Sequence, residues 1–257
     1  MKIETSDILG VIPARFNSTR LLGKPLKLIG DKPMIQHVYE RTKKTLNNVI
    51  VATDDDRIFN CIKDFGGKVI LTKKNHKNGT SRCLEAVNIY CEETGKEFEY
   101  IVNVQGDEPL IHEDHLKKLI HCFQDPNTNF ATVALQLSNK KPLPNGKVFL
   151  VKDMNEYALY FSRNIIPFIR AKNKENITDN TSFYQHIGIY GYTKKALEKF
   201  CNQKPSSLEM SEKLEQLRWL ENGGKIKVGI TKQLSYPVDT IEDLNEVRKI
   251  YEKKHHI

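Results

Sequence analysis

The sequence predicts an α/β fold with a mainly parallel sheet and an embedded β-rich subregion. Two patterns predict it. In the first half, short apolar runs alternate with segments whose apolar residues recur at helical spacing, the signature of βαβ units with right-handed crossovers. In the second half, short strand-like runs are separated by polar turns instead. At 257 residues the chain can bury one sizeable core, so one domain over residues 1–257 is expected, with about 140–195 as its β-rich part.

Strands are expected at Ile8–Pro13, Val49–Thr53, Val69–Leu71, Tyr100–Val104 and Ala131–Leu137, each a short apolar run. Between them, Pro33–Thr45 places Met34, Ile35, Val38 and Tyr39 on one helical face, and Asp55–Phe65, Ser81–Glu93 and Glu113–Phe123 also read as helices. Val148–Val151 and Tyr157–Phe161 flank a polar turn and suggest a hairpin. The stretch Ala171–Ser182, rich in Asn and Lys, reads as a surface loop. A strand at His186–Tyr192, helices at Lys195–Cys201 and Leu208–Glu221, a strand at Lys225–Ile230 and a helix from Ile241 complete the chain. Gly223-Gly224 suits the end of the long helix.

Composition narrows the function classes. No apolar run approaches the length of a membrane span. Met1–Asp7 lacks the basic-then-apolar order of a signal peptide, so a cytoplasmic location is expected. The cysteines Cys61, Cys83, Cys91, Cys122 and Cys201 are scattered, with no CxxC pair, which argues against a disulfide framework and a structural zinc site. The net charge of +8 suits polyanionic small substrates. The lysines are dispersed and no nucleic-acid module is present, so neither a nucleic-acid nor a membrane partner is expected.

Four segments carry candidate chemistry. The first, Pro13 to Leu26, leaves the end of the first strand, where ligands of open α/β sheets bind. It offers backbone N–H groups, small hydroxyls and the cations Arg15, Arg20 and Lys24, the components of a phosphate cradle. Its glycine spacing fits neither a Walker A loop nor GxGxxG. In the second, Val102 to Pro109, Asp107 stands just past a buried strand as a candidate Mg2+ ligand. Glu108 is a supporting group or a turn residue. In the third, Asp239 either supplies a second carboxylate to that metal or caps the last helix beside Thr240. In the fourth, Met210, Leu214, Leu217 and Leu220 form an apolar stripe, which leaves Glu209, Glu212, Glu215 and Gln216 on a face that reads as solvated. His112, His115 and His121 with Cys122 are better explained by a helix surface than by zinc. His255 and His256 lie at the C-terminus.

Taken in order, these segments resemble the 3-deoxy-manno-octulosonate cytidylyltransferases, the CMP-Kdo synthetases. The resemblance rests on Ile12–Arg15, Ser18-Thr19, Gly23–Leu26, Val51–Asp54, Asn78–Arg82, Asn103–Pro109, Tyr157–Arg163, His186–Tyr192, Leu214–Arg218 and Val238–Thr240. The matches run from about residue 8 to 248, nearly the whole chain. The resemblance implies a Rossmann-like nucleotidyltransferase sheet and transfer of CMP from CTP to the anomeric hydroxyl of an acidic sugar, Kdo, with pyrophosphate as leaving group. It implies that Ala14, Arg15, Ser18, Lys24, Arg82 and Gln105 seat CTP, with Arg15 and Lys24 on the triphosphate. Arg163, His186, Tyr190, Glu215 and Gln216 would surround the sugar in the β-rich subregion and its neighbours. Asp107 and Asp239 would hold Mg2+, and Arg15, Lys24, Asp107 and Asp239 would be the catalytic set. Positioning and charge neutralisation would lower the barrier without a covalent intermediate. One Mg2+ would bridge phosphates, and a second could activate the sugar hydroxyl. A homodimer and a place in lipopolysaccharide biosynthesis are implied as well. The same chemistry on 8-amino-Kdo or another 2-keto-3-deoxy sugar acid, and a non-catalytic nucleotide-binding protein, stay open. The sequence departs from the family pattern at Asn78 and Glu156, where the family has Ser and a hairpin Gly, at Ser207, where it has Pro, and over Leu234–Pro237, which lacks glycines.

Overall fold

Strand β1 (Ile8–Ala14) is apolar along its length and almost wholly buried. Such a strand needs cover on both faces and neighbours on both edges. It has them in the computed structural model, which describes residues 3–137, 143–144, 146–170 and 182–255. The expected loop Ala171–Ser182, apart from Ser182, and His256 lie outside the described residues.

After β1 come a small hairpin of β2 (Leu28–Ile29) and β3 (Lys32–Pro33), then α1 (Met34–Lys43), β4 (Asn48–Thr53), α2 (Asp56–Asp64), β5 (Val69–Leu71), α3 (Gly79–Thr94), β6 (Tyr100–Asn103) and α4 (Glu113–His121). The second half adds β7 (Phe130–Leu137), β8 (Phe149–Lys152), β9 (Ala158–Ser162), β10 (Phe183–Thr193), α5 (Lys194–Asn202), α6 (Ser207–Glu212), α7 (Gln216–Glu221), β11 (Lys227–Thr231) and α8 (Ile241–His255). Among the described residues the main sheet has nine strands, in the order β11-β7-β10-β6-β1-β4-β5, with β8 paired to β10 and β9 to β8. The βαβ half is parallel, β1 lying between β4 and β6. The long strand β10 runs antiparallel to β6, β7 and β8 and carries the hairpin β8–β9 on its other reach. The fold is thus the mainly parallel α/β sheet with an antiparallel group that the alternating pattern predicts.

Successive side chains of a strand face opposite ways, so each buried strand feeds two cores. Leu9, Val11, Ile50 and Ala52 meet α3 and α5 through Cys83, Ala86, Val87, Leu197 and Phe200. Ile8, Ile12, Val49 and Val51 meet α1, α2 and α4 through Ile35, Val38, Ile58 and Leu116. A third cluster seats α8, with Leu244, Val247 and Tyr251 packed on Ile29, Met34, Leu110 and Val238.

Three expectations are corrected. The helix expected at Leu208–Glu221 is broken into α6 and α7 at Lys213, whose φ is +54°. Its acidic face is not solvated. Glu209 is only 9% exposed and forms a bidentate pair with buried Arg218, whereas Met210 of the supposed apolar stripe is 56% exposed. The Glu212 carboxylate accepts from Ser162 and from the Arg163 N–H, which holds the end of α6 against β9. Of the clustered histidines only His121 lies on an exposed helix surface: His115 is fully buried with Nε2 on the Gln233 carbonyl, and His112 caps α4 by accepting the Asp114 N–H. Among the described residues no helix is long and apolar enough to cross a membrane.

Two of the sequence departures are accommodated locally. Glu156 sits in the hairpin at φ +64°, the conformation a glycine would take freely, and its carboxylate pairs with Lys152. Asn78 still does a serine's work, because its Oδ1 accepts the Ser81 N–H at the start of α3.

Candidate active site

Two cavities, of about 320 and 430 Å³, adjoin beyond the carboxyl ends of β1 and β6. They share Arg20, Gly79, Gln105, Asp107, Glu215 and Asp239 as common wall. The first is lined by the loop after β1, including Ala14, Arg15, Ser18 and Lys24, and by Arg82. The second is lined by Arg163, His186, Tyr190 and Gln216 among others. Every site residue expected from the sequence therefore borders one cavity or both, though several of these side chains are already held by protein partners.

The common wall depends on close backbone packing. A Cβ on Gly106 would lie 2.7 Å from the Pro13 carbonyl oxygen, so only glycine lets the loop after β6 cross the end of β1. The Asp107 carbonyl then accepts the Val238 N–H at 2.9 Å, which draws the distant segment before α8 alongside. Asp107 and Asp239 thereby meet around one ammonium. Lys24 Nζ lies 2.8 Å from Asp107 Oδ2, 3.3 Å from Asp239 Oδ1 and 2.8 Å from the Val238 carbonyl. The Arg20 guanidinium is 3.0 Å from the same Asp239 oxygen. Capping of α8 falls instead to Thr240 and Asp243: the Asp243 carboxylate accepts the N–H groups of Asp239 and Thr240, and Thr240 Oγ1 accepts that of Asp243. Asp239 is not the cap. Its carboxylate faces the cavities.

Beside this cluster Glu108 is buried and takes the Ser235 hydroxyl at 2.7 Å. Burial pushes its carboxyl up to about 8, and the neighbouring Asp107 charge adds to the effect, so Glu108 is a neutral acid at pH 7 and no competitor for the cations.

In the first cavity Arg82 is held rather than free. It donates to Asp54 Oδ2 at 2.9 Å and to Thr72 Oγ1 at 2.6 Å, which explains why the Asp of Val51–Asp54 accompanies it. Gln105 Nε2 donates to Asn103 Oδ1. Sequence reading missed His76, which lines the same cavity with Nε2 on Glu85 and Nδ1 on Ser81 Oγ. A histidine one turn before a helix start carries no distinguishing signal until the fold closes the loop.

The second cavity combines rings with polar tips. His186 Nε2 lies 2.9 Å from Thr132 Oγ1, and its ring meets Phe161 and Tyr190. Burial lowers its pKa to about 3, so it is a neutral imidazole. The Tyr190 hydroxyl donates to Gln216 Oε1 at 3.2 Å, and burial raises its pKa. Gln216 Nε2 is buried with no hydrogen-bond partner among the described residues. Glu215, raised by burial, accepts from Thr80 Oγ1 at 2.9 Å and so joins the start of α3 to the start of α7. Arg163 spends Nε on the Glu212 carbonyl and one terminal nitrogen on that of Lys213. It is part of the wall, with only the remainder of its fork available to an anion.

Cavities at the strand ends of a parallel α/β sheet, meeting at a pair of carboxylates, define the nucleotidyltransferase class. A family model described as cytidylyltransferase matches residues 9–227. The chain is 46% identical over 244 residues to the 3-deoxy-manno-octulosonate cytidylyltransferase of Parabacteroides distasonis, which covers 93% of this chain and 95% of the relative. It is 44% identical over 242 residues to the 8-amino-3,8-dideoxy-manno-octulosonate cytidylyltransferase of Shewanella baltica, which covers 92% and 95%. Its fold is similar to that of a solved CMP:2-keto-3-deoxy-manno-octonic acid synthetase complexed with CTP, with a TM-score of 0.85 and 35% identity over 96% of this chain and 99% of that one. The chain belongs to the 3-deoxy-manno-octulosonate cytidylyltransferase family.

Proposed function

We propose that the protein transfers CMP from CTP to the anomeric hydroxyl of Kdo, releasing pyrophosphate, as a Mg2+-dependent, cytoplasmic, homodimeric enzyme of lipopolysaccharide biosynthesis. The observation that carries the reading is the junction of the two cavities at Asp107, Asp239 and Lys24. A nucleotide on one side and a sugar on the other would bring their reacting atoms together there, which is most of what phosphoryl transfer requires of a protein.

In this reading Arg15, Lys24 and the loop N–H groups bind the triphosphate, while Ala14, Ser18, Arg82 and Gln105 seat the nucleoside. Arg163, His186, Tyr190, Glu215 and Gln216 orient the sugar acid from the wall of the second cavity. Neutral His186 bonds hydroxyls without adding charge. Asp107 and Asp239 offer the all-oxygen donor set that Mg2+ prefers, and the Lys24 ammonium already marks a cation position between them. Bound there, Mg2+ would neutralise charge on the phosphates and acidify the sugar hydroxyl. A dimer is supported by the apolar side chains left bare on and just after β9, Leu159, Ile165 and Phe168, the last 87% exposed.

The test is pyrophosphate release with Mg2+ from CTP, UTP or ATP over a panel of Kdo, 8-amino-Kdo and sialic acid. Release with CTP and Kdo above all other pairs is expected. A preference for 8-amino-Kdo would move the substrate to that analogue, and no release with any pair would refute the enzyme reading.

A further inference from the structure

Lys24 stands where the proposed function needs a divalent ion, and the role inferred for it here rests on that function. An ammonium has three N–H donors. All three have acceptors: Asp107 Oδ2, Asp239 Oδ1 and the Val238 carbonyl. The side chain is only 13% exposed, so this is a built position and not a surface contact. With Arg20 on Asp239, the two carboxylates are balanced by two cations.

That balance has two consequences. Lys24 has no donor left for a phosphate while it holds the carboxylates. A divalent ion entering between Asp107 and Asp239 while the ammonium stays would set three positive charges within a few ångströms and compete for the same oxygens. The ammonium therefore has to leave as the metal arrives, and an anion brought into the first cavity, which Lys24 lines, can receive it. We propose that Lys24 is a placeholder cation that keeps the carboxylate pair assembled and closed to free metal, and that it exchanges onto the nucleotide's phosphates when metal and nucleotide enter together. Metal and nucleotide then bind with positive coupling, reciprocal by linkage, and free divalent ions do not occupy the centre unproductively.

The experiment measures Mn2+ binding to the nucleotide-free full-length protein by electron paramagnetic resonance, which reads bound metal and not turnover. The variants are Lys24→Met, with Lys24→Gln in reserve if the first does not fold, Arg20→Met as a control for generic loss of positive charge, and Lys24→Met/Asp107→Asn. We expect weak binding in the wild type, affinity at least about tenfold higher in Lys24→Met, a few-fold gain at most in Arg20→Met, and loss of the gain in the double variant. If Lys24→Met binds Mn2+ no better than the wild type or than Arg20→Met, while Asp107→Asn still weakens binding, the placeholder role is refuted and the metal site stands. If Asp107→Asn leaves the Lys24→Met affinity unchanged, the metal site itself is refuted, and the placeholder with it.

Discussion

Replacing Arg218 by Met tests whether the break between α6 and α7 is held by charge. The Arg218 side chain is 6% exposed and its guanidinium grips both oxygens of Glu209, with a further donation to the Gln203 carbonyl at 3.2 Å. Met keeps much of the apolar volume against Phe200 but leaves the Glu209 carboxylate buried with the Ser206 N–H as its remaining donor. Breaking a buried pair on one side costs about 3–5 kcal/mol. For a chain of this size that is a fall of about 10 °C in Tm. The chain has a single tryptophan, Trp219, adjacent in sequence and buried, so its fluorescence follows unfolding of this segment directly. Urea unfolding read by that fluorescence and by circular dichroism gives the free energy. The companion Arg218→Met/Glu209→Met removes both charges. It should recover most of the loss, less about 1 kcal/mol for the Ser206–Glu209 capping box it destroys. A loss below about 1 kcal/mol in Arg218→Met, or a double variant no better than the single, would refute the claim that the pair fixes the break.

Asp107→Asn and Asp239→Asn should each lower turnover by at least about a hundredfold while the circular dichroism spectrum persists; near-wild-type pyrophosphate release by either would refute its proposed role as a metal ligand. His186, held neutral with a pKa of about 3 against about 6.5 unfolded, binds fewer protons folded than unfolded in that window. Its contribution is thus complete above about pH 6.5 and erodes as pH falls, by about 1–2 kcal/mol at pH 5. Between pH 7 and pH 5 a His186→Gln variant should lose correspondingly less stability than the wild type, and parallel curves would contradict the assignment. If the proposed homodimer is sealed by the apolar patch on and just after β9, Phe168→Asp should give a monomer in light scattering after size-exclusion chromatography where the wild type gives twice that mass; equal masses for the two would refute a dimer through Phe168.

The βαβ half was legible because its strands are short apolar runs and its helices periodic, and the sheet rules leave little choice of order for such units. The loop after β1 and Asp107 were legible as positions, since ligands gather at strand ends. Glu209, Glu212 and Glu215 were misread because a polar face looks the same in sequence whether it meets water or buried partners. Arg218, Ser162 and Thr80 decide that, and each is fixed only by tertiary contact. Asp239 was ambiguous for a similar reason. Its capping alternative fails because Asp243, four residues on, takes that work. Ser235 gave no signal at all, as its partner Glu108 is brought near only when the segment before α8 docks.

That docking is secured by the main-chain bond from Val238 to Asp107. A peptide N–H and a carbonyl are present whatever side chains surround them, so the spacing of the two carboxylates is written into the backbone. Apart from Ser235, which holds the buried Glu108 carboxyl, residues 234–237 carry no side chain the contact depends on, and Leu234-Ser235-Tyr236-Pro237 without glycines still leaves Asp239 facing Lys24. Substitution in this stretch would reshape the rim of the second cavity, which Ser235 and Pro237 line, while the carboxylate pair keeps its distance. A side-chain change along that edge alters one cavity wall while the main-chain contact that holds Asp107 beside Asp239 persists.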